Sequence, residues 1–533
     1  MDEMKKPTGT ESLTEAFAEE PKRTFAPIET AFAWLCFVTG YLFFRLLPLG
    51  EHRLGAFLFV VILFAGTAVL LRIRGIRPPA LPLCIAAASC VLSASLIVCA
   101  NRAVCTLAYW FAILSYLYFV SAACGRGISH AISGTLLADY MNAALVLPFC
   151  SFGSAIRAAF SGKAAKNGGK IALRILSGIC LALIPTVAVA ILLSYDDGFT
   201  DLMHKIFFAD VSIAAAFSHV NCALFGILLG MYLFGLYTSS TDKEEHSRIT
   251  ADGLDKTARA FRRLSAITVL CATVPILFLY AVFFVSQWQY YVSAFTGTLP
   301  ENLSYAQYAR EGFFQLCAVA VINLCMTAAA SLLTRRKDEK PPVFLKIITV
   351  LYAAFTLVLI ATAISKMILY IDTYGLTQKR VYASVFMIAM AVVFAVILVK
   401  QFVPKTPSAI AILCVFALFA AVALGNADAQ IARYNVDRYL DGTLAEVDIG
   451  ALAELGDAAV PELVRLAEIE AEKLGTDVKT MLERHHVSAM RNRLSAVLKT
   501  FAAGFSMEEE SFFGFNIPEH RARKALTAAG LIG

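Results

Sequence analysis

The sequence predicts an all-α, polytopic membrane protein with about eleven spanning helices and a small C-terminal soluble helical domain. Its 533 residues are 59% hydrophobic and 16% charged, whereas soluble domains are roughly 45–50% apolar and about 25% charged. Apolar runs of about 20 residues recur along the chain, and each is long enough to cross the hydrocarbon core of a bilayer. Beyond Gly425 these runs stop, and the remaining residues are rich in charge.

The N-terminal tail, residues 1–26, lacks the basic-then-apolar order of a cleaved signal peptide, so we expect a disordered cytoplasmic tail. Spans one to four fill residues 27–122, and spans five to eleven form a membrane core over residues 171–425. The eleven predicted spans are roughly 27–48, 54–71, 80–100, 103–122, 171–194, 210–237, 264–286, 312–334, 342–365, 381–402 and 409–425.

The segment between spans four and five, residues 123–170, mixes apolar and polar residues and carries Asp139 and Arg157. We expect one or two interfacial or cytoplasmic helices there rather than a span. Lysine and arginine are concentrated in alternate loops, starting with the N-terminal tail, and the positive-inside rule therefore places the N-terminus in the cytoplasm. An odd number of spans then puts the C-terminal domain outside.

The C-terminal domain, residues 426–533, shows apolar positions at helical spacing that are separated by Gly442, Gly456 and Gly475. We therefore expect several short helices packed around one core. Within the membrane core, Pro185 and Pro275 each interrupt a span that begins with arginine and serine. Two kinked helices suit a binding cavity, but such kinks are also common packing features.

No catalytic or cofactor motif is present: the chain has no HExxH, no GxSxG, no Walker loop and no GxGxxG after a strand. Glu483, His485 and His486 fall on a soluble helix and are typical of an exposed polar surface rather than a metal site. The 13 cysteines lack metal-like spacing. We therefore expect no cofactor, no metal and no nucleic-acid partner, and the balance is against an enzyme.

Polar residues predicted within or at the ends of spans are candidates for function, because unpaired polar groups are costly in lipid. They are His219, Asn221, Asn323 and Lys366. His219 and Asn221 are predicted to sit well inside span six. Hydrogen bonding between helices explains such residues as well as a substrate or proton site does. Gly226 and Gly230 form a GxxxG motif in the same span, which is typical of close helix packing.

A second group of candidates comes from loops that share the outer face in this topology. Its members are Asp196, Asp197, Arg310, Glu311, Asp372, Tyr374, Arg380, Tyr434 and Asn435. These residues could form a charge network that docks the tail onto the bundle, or a recognition site for an external ligand. We expect Arg310 to be held by a carboxylate from Asp196, Asp197 or Asp372, because a guanidinium can grip a carboxylate with two hydrogen bonds.

Three segments, YAQYAREGFFQL, YGLTQKR and IARYNVDRYL, resemble the signature segments of a family of bacterial multi-span membrane proteins. That family is known as a domain of unknown function, numbered forty-one fifty-three and forty-one seventy-three. Tyr195–Phe199 is similar to the family's alanine-aspartate-proline-x-phenylalanine, with Asp197 in place of proline. The resemblance covers roughly residue 171 to the C-terminus. It implies a helical bundle in the bacterial cytoplasmic (inner) membrane and implies no particular activity.

Three hypotheses about function follow. The first is a non-enzymatic sensor or accessory protein, with a recognition site on the outer face between the bundle and the C-terminal domain. The second is a transporter that uses kinked spans five and seven and His219. The third is an enzyme that acts on a lipid-linked substrate, with Asp196 or Asp197 as the base. The expected partners are the lipid bilayer and an external small ligand or envelope component, and no protein partner is indicated.

Overall fold

The computed structural model describes residues 25–47, 49, 51–128, 135–161, 213–242, 251–286, 313–336, 341–403, 408–484, 488–507 and 511–532. Within these ranges the secondary structure is helical, apart from one isolated bridge between Leu264 and Thr334. The prediction of an all-α chain is confirmed. The N-terminal tail before residue 25, and with it most of the predicted disordered segment, lies outside the described residues.

Nine helical spans in the described ranges are long and apolar enough to cross a membrane. They are formed by α1 (Pro27–Leu46), α2 (Arg53–Ile73), α3 (Ala80–Ser93) with α4 (Ser95–Val98), α5 (Arg102–Ala123), α9 (Ile213–Thr241), α11 (Ala266–Ser286), α12 (Phe313–Leu333), α13 (Val343–Tyr374) and α14 (Gln378–Phe402). A further apolar helix, α15 (Ala409–Leu424), is followed after a bend of 65° by α16 (Ala427–Leu440). Predicted span five, 171–194, lies outside the described residues.

Helix α13 is longer than the sequence predicted. Its 32 residues continue through Lys366 to Tyr374, whereas the predicted span ended at residue 365. The prediction stopped at Lys366 because charge is costly in a span, but this lysine is buried inside the folded protein. About 20 residues suffice to cross the bilayer, so α13 is long enough to extend beyond the span and carry its last turns into the polar region.

The chain divides into two compact units, Met1–Arg45 with Leu147–Asp242 and Leu46–Val146 with Lys243–Gly533. The first unit contains α1, α7 (Leu147–Cys150), α8 (Ser154–Ala159) and α9. Gly226 and Gly230 of α9 both face α1 at backbone distance, since a Cβ atom on Gly226 would lie 2.6 Å from the Tyr41 nitrogen. The GxxxG motif therefore serves close helix packing, as predicted.

Where it is described, the segment that links spans four and five consists of short helices. Helix α6 (Leu136–Met141) continues through a π-helical turn, Asn142–Val146, into α7. The division between the two units falls at the end of that turn. Asp139 is buried in the second unit and its Oδ1 accepts a 2.6 Å hydrogen bond from the backbone nitrogen of Ile128.

The membrane helices of the second unit, hereafter the bundle, pack α13 against both α12 and α14. Their shared core contains Leu316, Leu359, Met367 and Phe394, each at most 7% exposed. Helix α10 (Ala251–Phe261) precedes α11, and the Leu264–Thr334 bridge joins the beginning of α11 to the end of α12. The chain alternates in direction, so α2, α5 and α14 begin at the end of the bundle where α4, α13 and α15 finish.

The C-terminal domain follows α16 and folds around an apolar core that includes Leu463, Leu494 and Leu526, all 0% exposed. Its helices are α17 (Ile449–Ala453), α18 (Val460–Lys473), α19 (Val478–Glu483), α20 (Ala489–Met507) and α21 (Ile517–Ala528), with 3-10 turns at Gly456–Ala459 and Phe512–Gly514. The turn at Phe512–Gly514 packs against the beginning of α2. The domain therefore lies at the end of the bundle where α2 begins.

Candidate functional site

The end of α13 and the beginning of α14 form a tight turn, Gly375–Thr377, at the centre of a polar junction with α16. Gly375 has φ +75° and ends α13 in the left-handed region that glycine tolerates. A Cβ atom at this position would also collide with the Asn435 side-chain oxygen. The Thr377 hydroxyl then caps α14 by accepting from the Arg380 nitrogen at 3.4 Å. Glycine is thus required here both for conformation and for space.

Asn435 of α16 holds this turn by a reciprocal pair of hydrogen bonds. The Leu376 backbone nitrogen donates to Asn435 Oδ1 at 2.7 Å, and Asn435 Nδ2 donates to the Leu376 carbonyl oxygen at 2.7 Å. The asparagine side chain is buried, with 6% exposed. Because it satisfies the donor and the acceptor of one residue, it fixes the position of the turn relative to α16.

Two arginines also bind the end of α13. The last carbonyl groups of a helix have no partners within the helix, so they are free to accept hydrogen bonds from such side chains. Arg438 of α16 donates to the carbonyl oxygens of Ile371, at 3.4 Å, and Asp372, at 3.0 Å. Arg380 of α14 donates to the Tyr374 carbonyl oxygen at 3.0 Å and also to that of Gly375. Cations are favourable at a helix C-terminus, so both guanidinium groups stabilise this end.

Aromatic rings pack beside both guanidinium groups. The Arg380 guanidinium lies 4.0 Å from the centre of the Tyr370 ring, and that of Arg438 lies 5.6 Å from the Tyr434 ring. Such cation–π contacts contribute roughly 0.5–1 kcal/mol at exposed sites. Asp372 and Tyr374, which the sequence suggested as side-chain contributors, contribute backbone carbonyl oxygens instead. Asp196, Asp197, Arg310 and Glu311 lie outside the described residues.

Asp428, which sequence reasoning missed, is buried beneath the junction in the first turn of α16 and is 0% exposed. Its Oδ1 accepts from Gln378 Nε2 at 3.1 Å and from the Tyr382 hydroxyl at 3.3 Å. Its Oδ2 is buried without a hydrogen-bond partner among the residues that the structure describes. An acidic residue in a first helical turn is ordinary. The signal that could have found it was its position immediately after an apolar span.

A cavity of about 340 Å³ opens at the same end of the bundle, where α2 and α5 begin. It is lined by Leu47, Leu49, Arg53, Arg102, Cys105, Thr106, Tyr109 and Trp110. Arg53 is only 7% exposed. Its Nη1 donates to the Cys99 carbonyl oxygen at 2.6 Å and its Nη2 to that of Ala100 at 3.1 Å, so it caps the end of α4.

The intramembrane candidates have separate surroundings. Asn323 is 0% exposed; its Oδ1 accepts from the Tyr280 hydroxyl at 2.8 Å, and its Nδ2 donates to Thr356 Oγ1 at 2.8 Å. These bonds join α11, α12 and α13, which is the interhelical role that one of the two sequence interpretations proposed. Lys366 is buried in α13.

His219 lies in the first half of α9 (Ile213–Thr241) with its side chain exposed, and its predicted depth in the membrane stays a prediction. Its Nδ1 lies 2.7 Å from the hydroxyl of Tyr41 on α1, within hydrogen-bond distance. Asn221 is partly exposed on the same helix. His485 and His486, predicted to lie on an exposed polar surface, are outside the described residues, and no metal-like group of His, Cys, Asp or Glu occurs among those that are described.

Comparison with known families identifies the chain. The sequence model of the family described as Domain of unknown function (DUF4153) matches residues 83–466. This range is more than half of the chain. The sequence resemblance had suggested residue 171 to the C-terminus, so the matched range begins earlier and ends earlier. It contains the whole Asn435 junction, Asp428 and Arg102. No match was found among the curated proteins or among the solved structures. The chain is therefore a multi-pass membrane protein of the DUF4153 family.

Proposed function

We propose that this protein is a non-enzymatic sensor or accessory protein, with a recognition site for an external ligand between the bundle and the C-terminal domain, which are coupled through the junction. The observation that carries this proposal is the set of side-chain hydrogen bonds to the backbone at the end of α13. Asn435 and Arg438 of α16 and Arg380 of α14 all bind backbone groups of residues 371–376. A displacement of α13 would break these bonds together, so movement of that helix would reach the C-terminal domain.

The distribution of charge supports an external junction. Basic residues cluster at the opposite end of the bundle, where α2, α12 and α14 finish and α11 and α13 begin. They include Arg72, Arg74, Arg262, Arg263, Arg335, Lys346 and Lys400. By the positive-inside rule that end faces the cytoplasm. The junction and the C-terminal domain would then lie outside the bacterial cytoplasmic membrane.

The chemistry of the junction favours recognition or coupling over catalysis. The Asn435 amide and the Arg438 guanidinium donate to backbone carbonyl oxygens, and such fixed groups stabilise a conformation rather than move protons. A transporter based on His219 has weaker support. That histidine lies within hydrogen-bond distance of Tyr41 on α1, an arrangement that suits helix packing.

Hydrogen exchange, measured by mass spectrometry on the full chain in lipid nanodiscs, tests this coupling. Thr356→Val removes the hydroxyl that accepts from Asn323 while preserving shape, and it perturbs α13 far from the C-terminal domain. If α13 communicates with the domain, exchange in Val460–Lys473 and Ala489–Met507 should change roughly fivefold or more, the lower range of allosteric coupling.

Asn435→Ala should reduce this response, because it removes both hydrogen bonds between α16 and the turn and leaves Arg438 as the remaining contact with the end of α13. Arg433→Ala is the matched control, since Arg433 lies on the same helix with its side chain 74% exposed. This control should leave the response intact. The coupling is refuted if Thr356→Val leaves exchange in the C-terminal helices unchanged, or if its effect is undiminished in the Asn435→Ala background.

A further inference from the structure

The cavity at the beginning of α2 and α5 carries two arginines that form no ion pair among the described residues. Arg53 and Arg102 both line it, and neither forms an ion pair with a described carboxylate. Arg53 is buried, and its two hydrogen bonds go to neutral carbonyl groups. A buried guanidinium without a counter-charge is costly. The cavity is therefore complementary to an anion.

The helix geometry adds to this positive potential. Arg53 is the first residue of α2 and Arg102 is the first residue of α5. The N-terminus of a helix carries a partial positive charge and attracts phosphate and other anions. Two such termini contribute to one cavity, in addition to the two side-chain charges. Arg102 is exposed, so its guanidinium can adjust to a ligand, whereas Arg53 is fixed.

The remaining lining is apolar and aromatic. Leu47, Leu49 and Trp110 form part of the wall, and Trp110 is 44% exposed. Tryptophan is enriched where a membrane meets water, and the cavity lies where two spanning helices begin. Its volume of about 340 Å³ is at the lower end of the roughly 300–1,000 Å³ range for ligand pockets. It suits one charged group with a short apolar attachment.

We propose that this cavity binds a phosphate group, with Arg53 and Arg102 as its cationic ligands. The exposed Arg102 guanidinium can match phosphate oxygens through two parallel hydrogen bonds. Arg53, whose Nη1 and Nη2 each donate to a carbonyl oxygen, contributes its charge and its remaining N–H groups. The source can be a phospholipid headgroup or free phosphate. The inference rests on the proposed function in one respect, because it names the class of ligand that would be sensed. The bound group would lie beside the Phe512–Gly514 turn, where the C-terminal domain packs on α2.

Binding is tested on the full chain in dodecyl maltoside, a detergent without phosphate. Dioleoyl phosphatidylglycerol, dioleoyl phosphatidylcholine or inorganic phosphate is titrated separately. Binding is followed by native mass spectrometry and by Trp110 fluorescence in a Trp34→Phe, Trp288→Phe background, since the chain has three tryptophans. Arg102→Gln should weaken binding roughly tenfold or more, as expected for the loss of charge-assisted hydrogen bonds. Arg72→Gln, at the other end of α2, is the matched control and should change affinity less than about threefold, the effect of one surface charge.

Arg53→Lys provides a second variant, because it keeps the charge and loses the planar fork, and it should also weaken binding. Arg102-dependent binding of a phospholipid alone would identify a headgroup site, and additional binding of inorganic phosphate would identify a general phosphate site. Both support the proposal. It is overturned if nothing binds saturably, or if Arg102→Gln and Arg72→Gln bind equally well. Binding that leaves hydrogen exchange in the C-terminal helices unchanged would keep the site and refute the sensor.

Discussion

Asn435 and Gly375 occupy one small space at the end of α13, and each constrains the other. The asparagine oxygen lies where a Cβ atom at position 375 would be, and Gly375 has φ +75°. The side chain of Asn435 can reach the Leu376 backbone because position 375 has no side chain. The hold of α16 on the α13–α14 turn therefore depends on a glycine whose role is steric as well as conformational.

This relationship predicts the outcome of a double-mutant cycle. Asn435→Ala should destabilise the protein by roughly 1–3 kcal/mol, because it leaves the Leu376 donor and acceptor unpaired. Gly375 has φ +75° and ψ −173°, a backbone region essentially restricted to glycine, so Gly375→Ala should cost about 1–3 kcal/mol for conformation, and more because of the collision. In the double variant the collision is gone, so its loss of stability should be smaller than the sum of the losses in the two single variants. Thermal unfolding in detergent measures the cycle, and strictly additive costs would contradict the steric account.

We expect the stability of the protein to tolerate removal of the negative charge of Asp428. The carboxyl is buried with one oxygen unpartnered among the described residues, which disfavours its charged form. Asp428→Asn keeps an acceptor for Gln378 and Tyr382, so the unfolding temperature at pH 7 should be unchanged or higher. Asp428→Ala removes that acceptor and should cost roughly 1–3 kcal/mol. If the asparagine variant is as damaged as the alanine variant, the negative charge itself is required.

Glu470 predicts how the stability of the C-terminal domain depends on pH. Burial alone would raise the pKa of its carboxyl, but hydrogen bonds from Lys473, at 2.6 Å, and Arg491, at 2.8 Å, outweigh burial and hold the pKa below its usual value. A carboxyl with a depressed pKa contributes stability above its unfolded-state pKa, near 4.3, and loses it as pH falls through the folded-state value. Unfolding of the domain should therefore become easier below about pH 4.

Glu470→Gln removes the titrating group and separates this effect from general acid denaturation. The variant should be less stable at pH 7, because Arg491 loses its charged partner, and its stability should fall less than that of the wild type between pH 7 and pH 3.5. Glu468→Gln, two residues away on the same helix, is the control and should follow the wild type. Circular dichroism at 222 nm measures the loss of helix. Parallel pH profiles for wild type and Glu470→Gln would contradict the prediction.

The sequence predicted the spans well because an apolar run has to match the thickness of a bilayer. It misplaced the end of α13 because Lys366 looked like a boundary, and local charge does not reveal that a lysine is buried by tertiary packing. Asp372, Tyr374, Arg380, Tyr434 and Asn435 were predicted to share one face of the membrane. The structure brings them to the junction of α13, α14 and α16, because chain direction alternates with each span, and the side of the membrane stays a prediction. Which atoms they use could not be read from the sequence, since helix ends expose backbone carbonyl groups whatever the side chains are.

The residues that sequence reasoning missed share one property. Arg53, Arg102 and Asp428 each lie at the boundary of an apolar run, where charged residues are common and carry little information. Their burial and mutual placement depend on helices that are distant in sequence. The sequence predicted His219 as an intramembrane polar residue, and the structure places its Nδ1 2.7 Å from the hydroxyl of Tyr41 on α1. The predicted contact of Arg310 with an outer-face acid stays a prediction.

The most direct test of an external C-terminal domain is the labelling of single cysteines in a cysteine-free variant, with a membrane-impermeant maleimide applied to intact spheroplasts. Lys479→Cys reports on the exposed surface of α19, and Thr257→Cys reports on the exposed surface of α10 at the basic end. Lys479→Cys should be labelled in intact cells, and Thr257→Cys only after the membrane is permeabilised. Labelling of both positions from one side, or of Thr257→Cys alone in intact cells, would contradict an external sensor domain.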